Sequence, residues 1–161
     1  MLTQERLKEL LHYDPETGVF TARVNRGSVQ IGAKAGGENR GYIRIGVQNK
    51  KYFAHRLAWF YVHGCWPSKE LDHINGKRPD NRLSNLREAT RAQNNSNRPV
   101  HRRNEYGKKG AYFIKNRNKW RALIGKDKRL IHLGYFDSAE EAQAAYIAAA
   151  RTHYGEFARA E

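Results

Sequence analysis

From Gly41 to Val47 apolar and polar residues alternate, with Ile43, Ile45 and Val47 on one face and Tyr42 and Arg44 on the other. That two-residue period predicts a half-buried strand, with Gln48-Asn49-Lys50-Lys51 as a hairpin turn into Tyr52-Phe53. Leu2, Leu7, Leu10 and Leu11 fall near helical spacing and predict a short amphipathic helix, followed by a turn at Asp14-Pro15-Glu16-Thr17-Gly18. His55 to His63 reads as a second helix, its core supplied by Leu57, Trp59, Phe60 and Tyr61 and its end marked by Gly64 and Pro67. Further on, Trp120, Ala122 and Ile124 oppose Arg121 and Leu123, and Ile131 and Leu133 oppose Leu130 and His132. Ser138 and Glu141 then stand in capping-box spacing ahead of a helix with Ala142, Ala145 and Ala149 on one stripe and Tyr146 beside it. Three strands and one helix are the economical reading of this second region.

Between the two regions Asn95 to Glu105 is polar and basic, which predicts a solvated linker with the charge to lie along phosphates. The 161 residues carry 30 Lys+Arg against 16 Asp+Glu, a formal charge of +14. The charge is uneven: residues 107–134 hold 9 basic side chains against 1 acidic, whereas 135–161 hold 2 against 5. A basic stretch this dense, interleaved with Tyr112, Phe113 and Trp120, points to a nucleic-acid surface. Cys65 is the only thiol, so a disulfide framework and a cysteine zinc site within one chain are excluded. Cys65 itself reads as a small apolar filler. The N-terminus has no apolar signal core, and no apolar run approaches the roughly 20 residues that span a bilayer. The expectation is a cytoplasmic protein of a reducing compartment with no membrane partner.

The chemistry concentrates in Leu71-Asp72-His73-Ile74-Asn75-Gly76, then Asp80 to Arg87, then Thr90 to Asn97. This order predicts a strand, a glycine-containing turn, a second short strand and a helix capped by Thr90. Asp72 and Asn94 offer oxygen donors suited to a hard cation such as Mg²⁺ or Mn²⁺. An imidazole such as His73, titrating near about 6.5, is mostly neutral at physiological pH and can accept a proton. A neutral base, one hard cation and a basic surface are the parts needed to hydrolyse a phosphodiester. Taken singly, Asn85 and Asn94 are turn and cap residues, Asp80 and Asn81 are turn residues, and His55 with Arg56 organises a helix start. Neighbouring strand residues point to opposite faces, so Asp72 and His73 serve one site only if the strand ends or twists there.

As a set, Asp72-His73, Asn85 twelve residues after His73, and Asn94 nine later resemble the HNH nuclease motif in its phage and intron-encoded homing branch. Tyr13-Asp14-Pro15-Glu16-Thr17-Gly18 and His55-Arg56-Leu57-Ala58-Trp59 support the resemblance, which spans about residues 7–98. It implies a ββα-metal fold with His73 as general base and Asp72 and Asn94 as ligands of one divalent cation. It also implies that Asn85 shapes the loop through backbone hydrogen bonds, and that the products are a 5′-phosphate and a 3′-hydroxyl.

Residues 107–156 resemble an AP-two/ERF domain, on Tyr112-Phe113, Asn118 to Ile124, His132 to Asp137 and the helix that follows. That family packs a three-stranded sheet on one helix and sets the sheet in the DNA major groove. Trp120, Ile131, Leu133 and Phe136 match its core positions. Arg117, Arg121, Leu123 and His132 match its outward positions, with Lys109 and Lys115 nearby. Arg117 and Arg121 are the candidate base readers and the lysines the phosphate contacts, joined by Arg44 and Arg87 from the first region. The expectation is an α+β chain in two parts. Residues 1–98 form the nuclease domain with an antiparallel sheet, 99–106 a basic linker, and 107–161 a DNA-binding domain. It acts on double-stranded DNA as a monomer or homodimer, with no small-molecule cofactor. The rival reading is a non-catalytic DNA-binding regulator with an inactive HNH fold.

Overall fold

Thr3 accepts the Arg6 amide and starts α1 (Gln4–Leu10), whose Leu7 and Leu10 are buried. Leu11, expected at the end of this helix, opens β1 (Leu11–Asp14), which pairs antiparallel with β2 (Val19–Ala22). The turn between them is built by Asp14, whose carboxylate accepts from the Glu16 amide and the Thr17 hydroxyl. The computed structural model describes residues 1–25, 27–100, 104, 106–127 and 129–159, grouped in two units, Met1–Ala89 and Thr90–Glu161.

The first unit continues with β3 (Gly37–Asn39), β4 (Tyr42–Val47) and β5 (Lys50–Phe53), an antiparallel sheet with β4 at its centre. Gln48 and Asn49 alone form the β4–β5 turn, both at positive φ, so Lys50 and Lys51 lie in the strand rather than in the turn. Ile45 and Val47 are buried, as the alternation requires, while Arg44 is exposed. Next comes α2 (Ala54–His63), ended by Gly64 in the left-handed conformation. Leu57 and Phe60 join Leu7, Leu11, Tyr13, Phe20 and Val47 in one core, with Tyr61 packed against it. Trp59, expected there too, is half-buried and lies against the His63 ring. Cys65 is exposed, not an apolar filler. The unit ends in a two-stranded hairpin, β6 (Glu70–His73) and β7 (Leu86–Ala89), with a single 3-10 turn at Leu83–Asn85 just before β7.

The second unit begins with α3 (Arg91–Ser96), started by a full capping box between Thr90 and Gln93. The units divide between Ala89 and Thr90, ahead of the sequence-based limit at residue 98, so α3 groups with the C-terminal part. Of the expected linker, residues 101–103 and 105 lie outside the described residues. Strands β8 (Ala111–Ile114), β9 (Lys119–Lys126) and β10 (Arg129–Phe136) form an antiparallel meander with β9 in the middle. Helix α4 (Ala139–Tyr154), capped by Ser138 and Glu141, packs across all three strands. Its buried stripe is Ala142, Tyr146 and Ala150, with Ala145 and Ala149 at the margins. Small side chains let helix and sheet approach closely, and Trp120, Leu133 and Phe136 fill the space beside Ala122 and Ala142.

Ile131 departs from its expected core role. It pairs with Ile124 yet stays 37 % exposed, near the free end of the β9–β10 hairpin. The register shifts between His132 and Gly134, which leaves both His132 and Tyr135 exposed. Among the described residues no helix is long and apolar enough to cross a membrane.

Gly110 sits at φ +75 with its α-carbon against Tyr146, where a Cβ would stand 2.0 Å from the ring. Gly155, at φ +55, has nothing within 4 Å of its Cβ position. Gly110→Ala is therefore expected to lower stability by more than about 2 kcal/mol, from clash and strain together, and Gly155→Ala by about 1 from strain alone. Urea unfolding of the two variants, compared with the parent, checks the order.

Candidate active site

Strand β6 pairs with β7 over only four residues, and the pairing ends at His73 opposite Leu86. Asp72 and His73 are both buried there, 3 % and 5 % exposed. Their partners differ, as neighbouring strand residues require. The Asp72 carboxylate meets its cross-strand neighbour Arg87, with Nε 3.0 Å from Oδ2. The His73 ring lies among His55, Tyr42 and Asn81. The chain turns directly after the strand, where the Gly76 amide donates to the His73 carbonyl at 2.7 Å.

The loop from 74 to 85 has no strand ladder, so side-chain amides hold it. Asn85 Oδ1 accepts from the Asn75 amide at 3.0 Å, and Asn85 Nδ2 donates to the Asp80 carbonyl at 2.9 Å and to Asn75 Oδ1 at 3.1 Å. Asp80 adds a second brace, accepting from Asn75 Nδ2 and, on both oxygens, from the Arg82 guanidinium. Those hydrogen bonds, Arg82's first, hold the Asp80 carboxyl well down, at about 2. Inside the loop Asn81 is buried, with Oδ1 3.4 Å from His73 Nε2.

Burial lowers the His73 pKa from its ordinary value, against the opposing pull of Asn81, Asp72 and Asp80. The ring is thus held in the neutral form that accepts a proton. His55 is more strongly affected: burial, then the neighbouring His73 and Arg56, push it down to about 3. Its ring meets that of His73 edge-on, centroids 5.1 Å apart, and stacks on Phe53. Nδ1 of His55 is buried with no hydrogen-bond partner among the described residues. His55 therefore does more than start a helix, and Asn81 more than form a turn. The HRL word and the position of Asn81 within the loop were the only sequence signals for either.

Asn94 lies in α3 of the second unit, where its amide donates to the Thr90 carbonyl at 2.9 Å. Asp72, His73 and Asn85 belong to the first unit. No three His, Cys, Asp or Glu side chains gather into a metal-binding group among the described residues. The carboxylate of Asp72 and the amide oxygen of Asn94 are each hard donors of the kind that suit Mg²⁺ or Mn²⁺.

The expected DNA contacts separate into two kinds. Arg87, 13 % exposed, is turned onto Asp72 rather than outward. Lys109 is half-buried, and its ammonium donates to the carbonyls of Ser96 and Arg98, the latter at 2.7 Å, at the end of α3. Burial lowers it to about 8. Both cations are engaged within the fold. Arg44, Lys115, Arg117 and His132 are exposed. Arg44 covers the Phe53 ring, Arg117 lies 4.8 Å over Tyr135, and His132 packs against Tyr135. Arg121 is cross-strand neighbour to both Tyr112 and Tyr135, and its Nε is buried with no partner among the described residues.

The depressed Asp80 carboxyl yields a pH prediction. Its folded value of about 2 lies below the ordinary 3.8, so its contribution is complete above about pH 4 and is lost as pH falls towards 2. Asp80→Asn is expected to lower stability by on the order of 1 kcal/mol at pH 6, after solvent screening of Arg82, and by little at pH 2. Melting curves of both proteins at the two pH values test this.

Residues 52–96, from β5 through α2 and the β6–β7 hairpin to the end of α3, match a family described as HNH endonuclease. No curated protein matches the chain. The matched segment contains Asp72, His73, Asn85 and Asn94, and supports a nuclease, a phosphodiester hydrolase acting on DNA.

Proposed function

We propose that the protein is a metal-dependent DNA endonuclease of the phage and intron-encoded type, with His73 as general base. The observation that carries this reading is the HNH endonuclease match, which brackets a buried His73 at the end of a hairpin strand. His73 takes a proton from water as the water oxygen attacks phosphorus. The bond from phosphorus to the 3′ oxygen breaks, that oxygen takes a proton from solvent water to become the 3′-hydroxyl, the phosphate stays on the 5′ side, and the imidazolium returns its proton to solvent. Asn85 keeps the 74–85 loop in the shape that presents His73. Asp72 and Asn94 are the residues that would hold one divalent cation, Mg²⁺ or Mn²⁺. When bound, the cation supplies charge neutralisation at the phosphate and the departing oxygen.

Target DNA is held by the three-stranded sheet, used as in AP-two/ERF domains. The outward row Tyr112, Arg121 and Tyr135 supports this, because the Arg121 Nε lacks a partner that a base edge or phosphate would supply. Arg117, Lys115 and His132 flank the row, and Arg44 adds a contact from the first unit. One such centre cuts one strand per encounter, so a monomer nicks and a homodimer breaks both strands.

Supercoiled plasmid is the direct test. With Mg²⁺ the protein is expected to nick or linearise it. EDTA and His73→Ala should each abolish cutting, while the variant still shifts DNA on a gel. Normal cutting by His73→Ala overturns the mechanism. Plasmid that the parent protein shifts but never cuts, with Mg²⁺ or Mn²⁺, replaces it with a DNA-binding regulator. Arg121→Ala should weaken DNA binding by about 1–3 kcal/mol, roughly tenfold to a hundredfold in Kd by anisotropy, at an unchanged melting temperature.

A further inference from the structure

The Tyr13-Asp14-Pro15-Glu16-Thr17-Gly18 turn has no part in the chemistry just described, yet it is built against the loop that carries Asn81. The Tyr13 hydroxyl donates to the Asn81 carbonyl at 2.7 Å, and the Leu83 amide donates to the Pro15 carbonyl at 3.3 Å. Gly18, at φ +72, lies so close that a Cβ would stand 2.4 Å from the Arg82 nitrogen and 2.5 Å from the Asn81 carbonyl carbon. The hairpin therefore holds the Asn81 backbone from behind over a sequence separation of 68 residues.

The side chain of Asn81 is held from the other end. Nδ2 donates to the Pro79 carbonyl at 3.1 Å, which sets which way the amide points. Flipping it would place Oδ1 against the Pro79 oxygen, two acceptors facing each other, in a site only 2 % exposed. With the amide so set, the atom 3.4 Å from His73 Nε2 is Oδ1, which can only accept. The distance is long, as catalytic hydrogen bonds often are before substrate is bound. The edge of His55 at 5.1 Å and the ring of Tyr42 at 6.2 Å limit how far the His73 imidazole can turn away.

We infer that Asn81 is a positioning residue that fixes the tautomer of His73, holding the proton on Nε2 and leaving the lone pair of Nδ1 to accept the proton of the attacking water. The Tyr13–Gly18 hairpin is the buttress that keeps Asn81 in place. A neutral imidazole has one donor and one acceptor nitrogen, and a free one exchanges them. Fixing the choice settles which of the two nitrogens is basic. The kinetic consequence rests on the nuclease reading, but the tautomer does not.

The experiment uses the full chain labelled with ¹⁵N in histidine, at pH 8, where the ring is neutral. Long-range ¹H–¹⁵N spectra read the tautomer, and loss of one signal set in His73→Gln assigns it. The parent is expected to show His73 with Nε2 protonated. Asn81→Leu, close in size but without an acceptor, should give a mixture of tautomers. Its kcat for plasmid should fall roughly tenfold to a hundredfold with KM for DNA unchanged, a part of the 10²–10⁴ that a general base supplies. The inference is overturned if the parent carries the proton on Nδ1, or if Asn81→Leu leaves both tautomer and kcat unchanged. Should Asn81→Leu fail to fold, the parent spectrum still decides, and Tyr13→Phe should loosen the same preference more weakly. A parent protein that never cuts DNA defeats the nuclease reading while leaving the spectroscopic result standing.

Discussion

The carboxamide of Asn85 closes the loop between β6 and β7, and the placement of Asp80, Asn81 and His73 depends on that closure. Four paired residues cannot order a twelve-residue connection by backbone ladder alone. Every buried amide and carbonyl in such a loop must find another partner. Asn85 satisfies three groups at once, because its side chain both accepts and donates. Asp80 answers Asn75 and Arg82 from the opposite side of the loop. Asn residues suit this work because a short carboxamide reproduces the hydrogen-bonding of a peptide group. The loop is therefore braced by side-chain hydrogen bonds without being regular.

A different constraint shapes the second unit. Its core is made largely of alanine, so α4 can lie close to the sheet, and the opposite face is left to aromatic and basic side chains. Lys109 turns its charge inward, onto the carbonyls that end α3. A cation at a helix C-terminus complements both the unpaired oxygens and the dipole. That contact joins the helix bearing Asn94 to the sheet domain within one unit, although sequence reasoning assigns the two to separate domains.

Local patterns were legible wherever an element is long enough to show its period. Strand β4, strand β9, helix α2, the Thr90 cap and the Ser138–Glu141 capping box follow directly from alternation and spacing. Strands β1, β2 and β3, of three or four residues, are too short to show a period and were not anticipated. The surroundings of Arg87, Lys109 and Ile131 are not legible in the sequence because each depends on a partner or an edge, not on neighbours in the chain. An outward-reading arginine and one paired across a hairpin look alike until register is known. His55 and Asn81 were missed for the same reason: eighteen residues separate the two histidines whose rings touch, and sixty-eight separate Tyr13 from Asn81.

The electrostatics around His73 follow from how each charge is partnered. Two carboxylates, Asp72 and Asp80, favour the imidazolium. Each has its own arginine: Arg87 on Asp72, and Arg82 on Asp80. Pairing weakens their pull on the ring, and burial becomes the largest influence on it. His55, buried beside it and neutral, adds bulk without charge. Arg78 lies across the Tyr42 ring at 4.8 Å, so an aromatic face stands beside a cation that further disfavours the imidazolium. The imidazole is thus kept unprotonated by desolvation and by the nearby Arg78, while each carboxylate is paired to its own arginine.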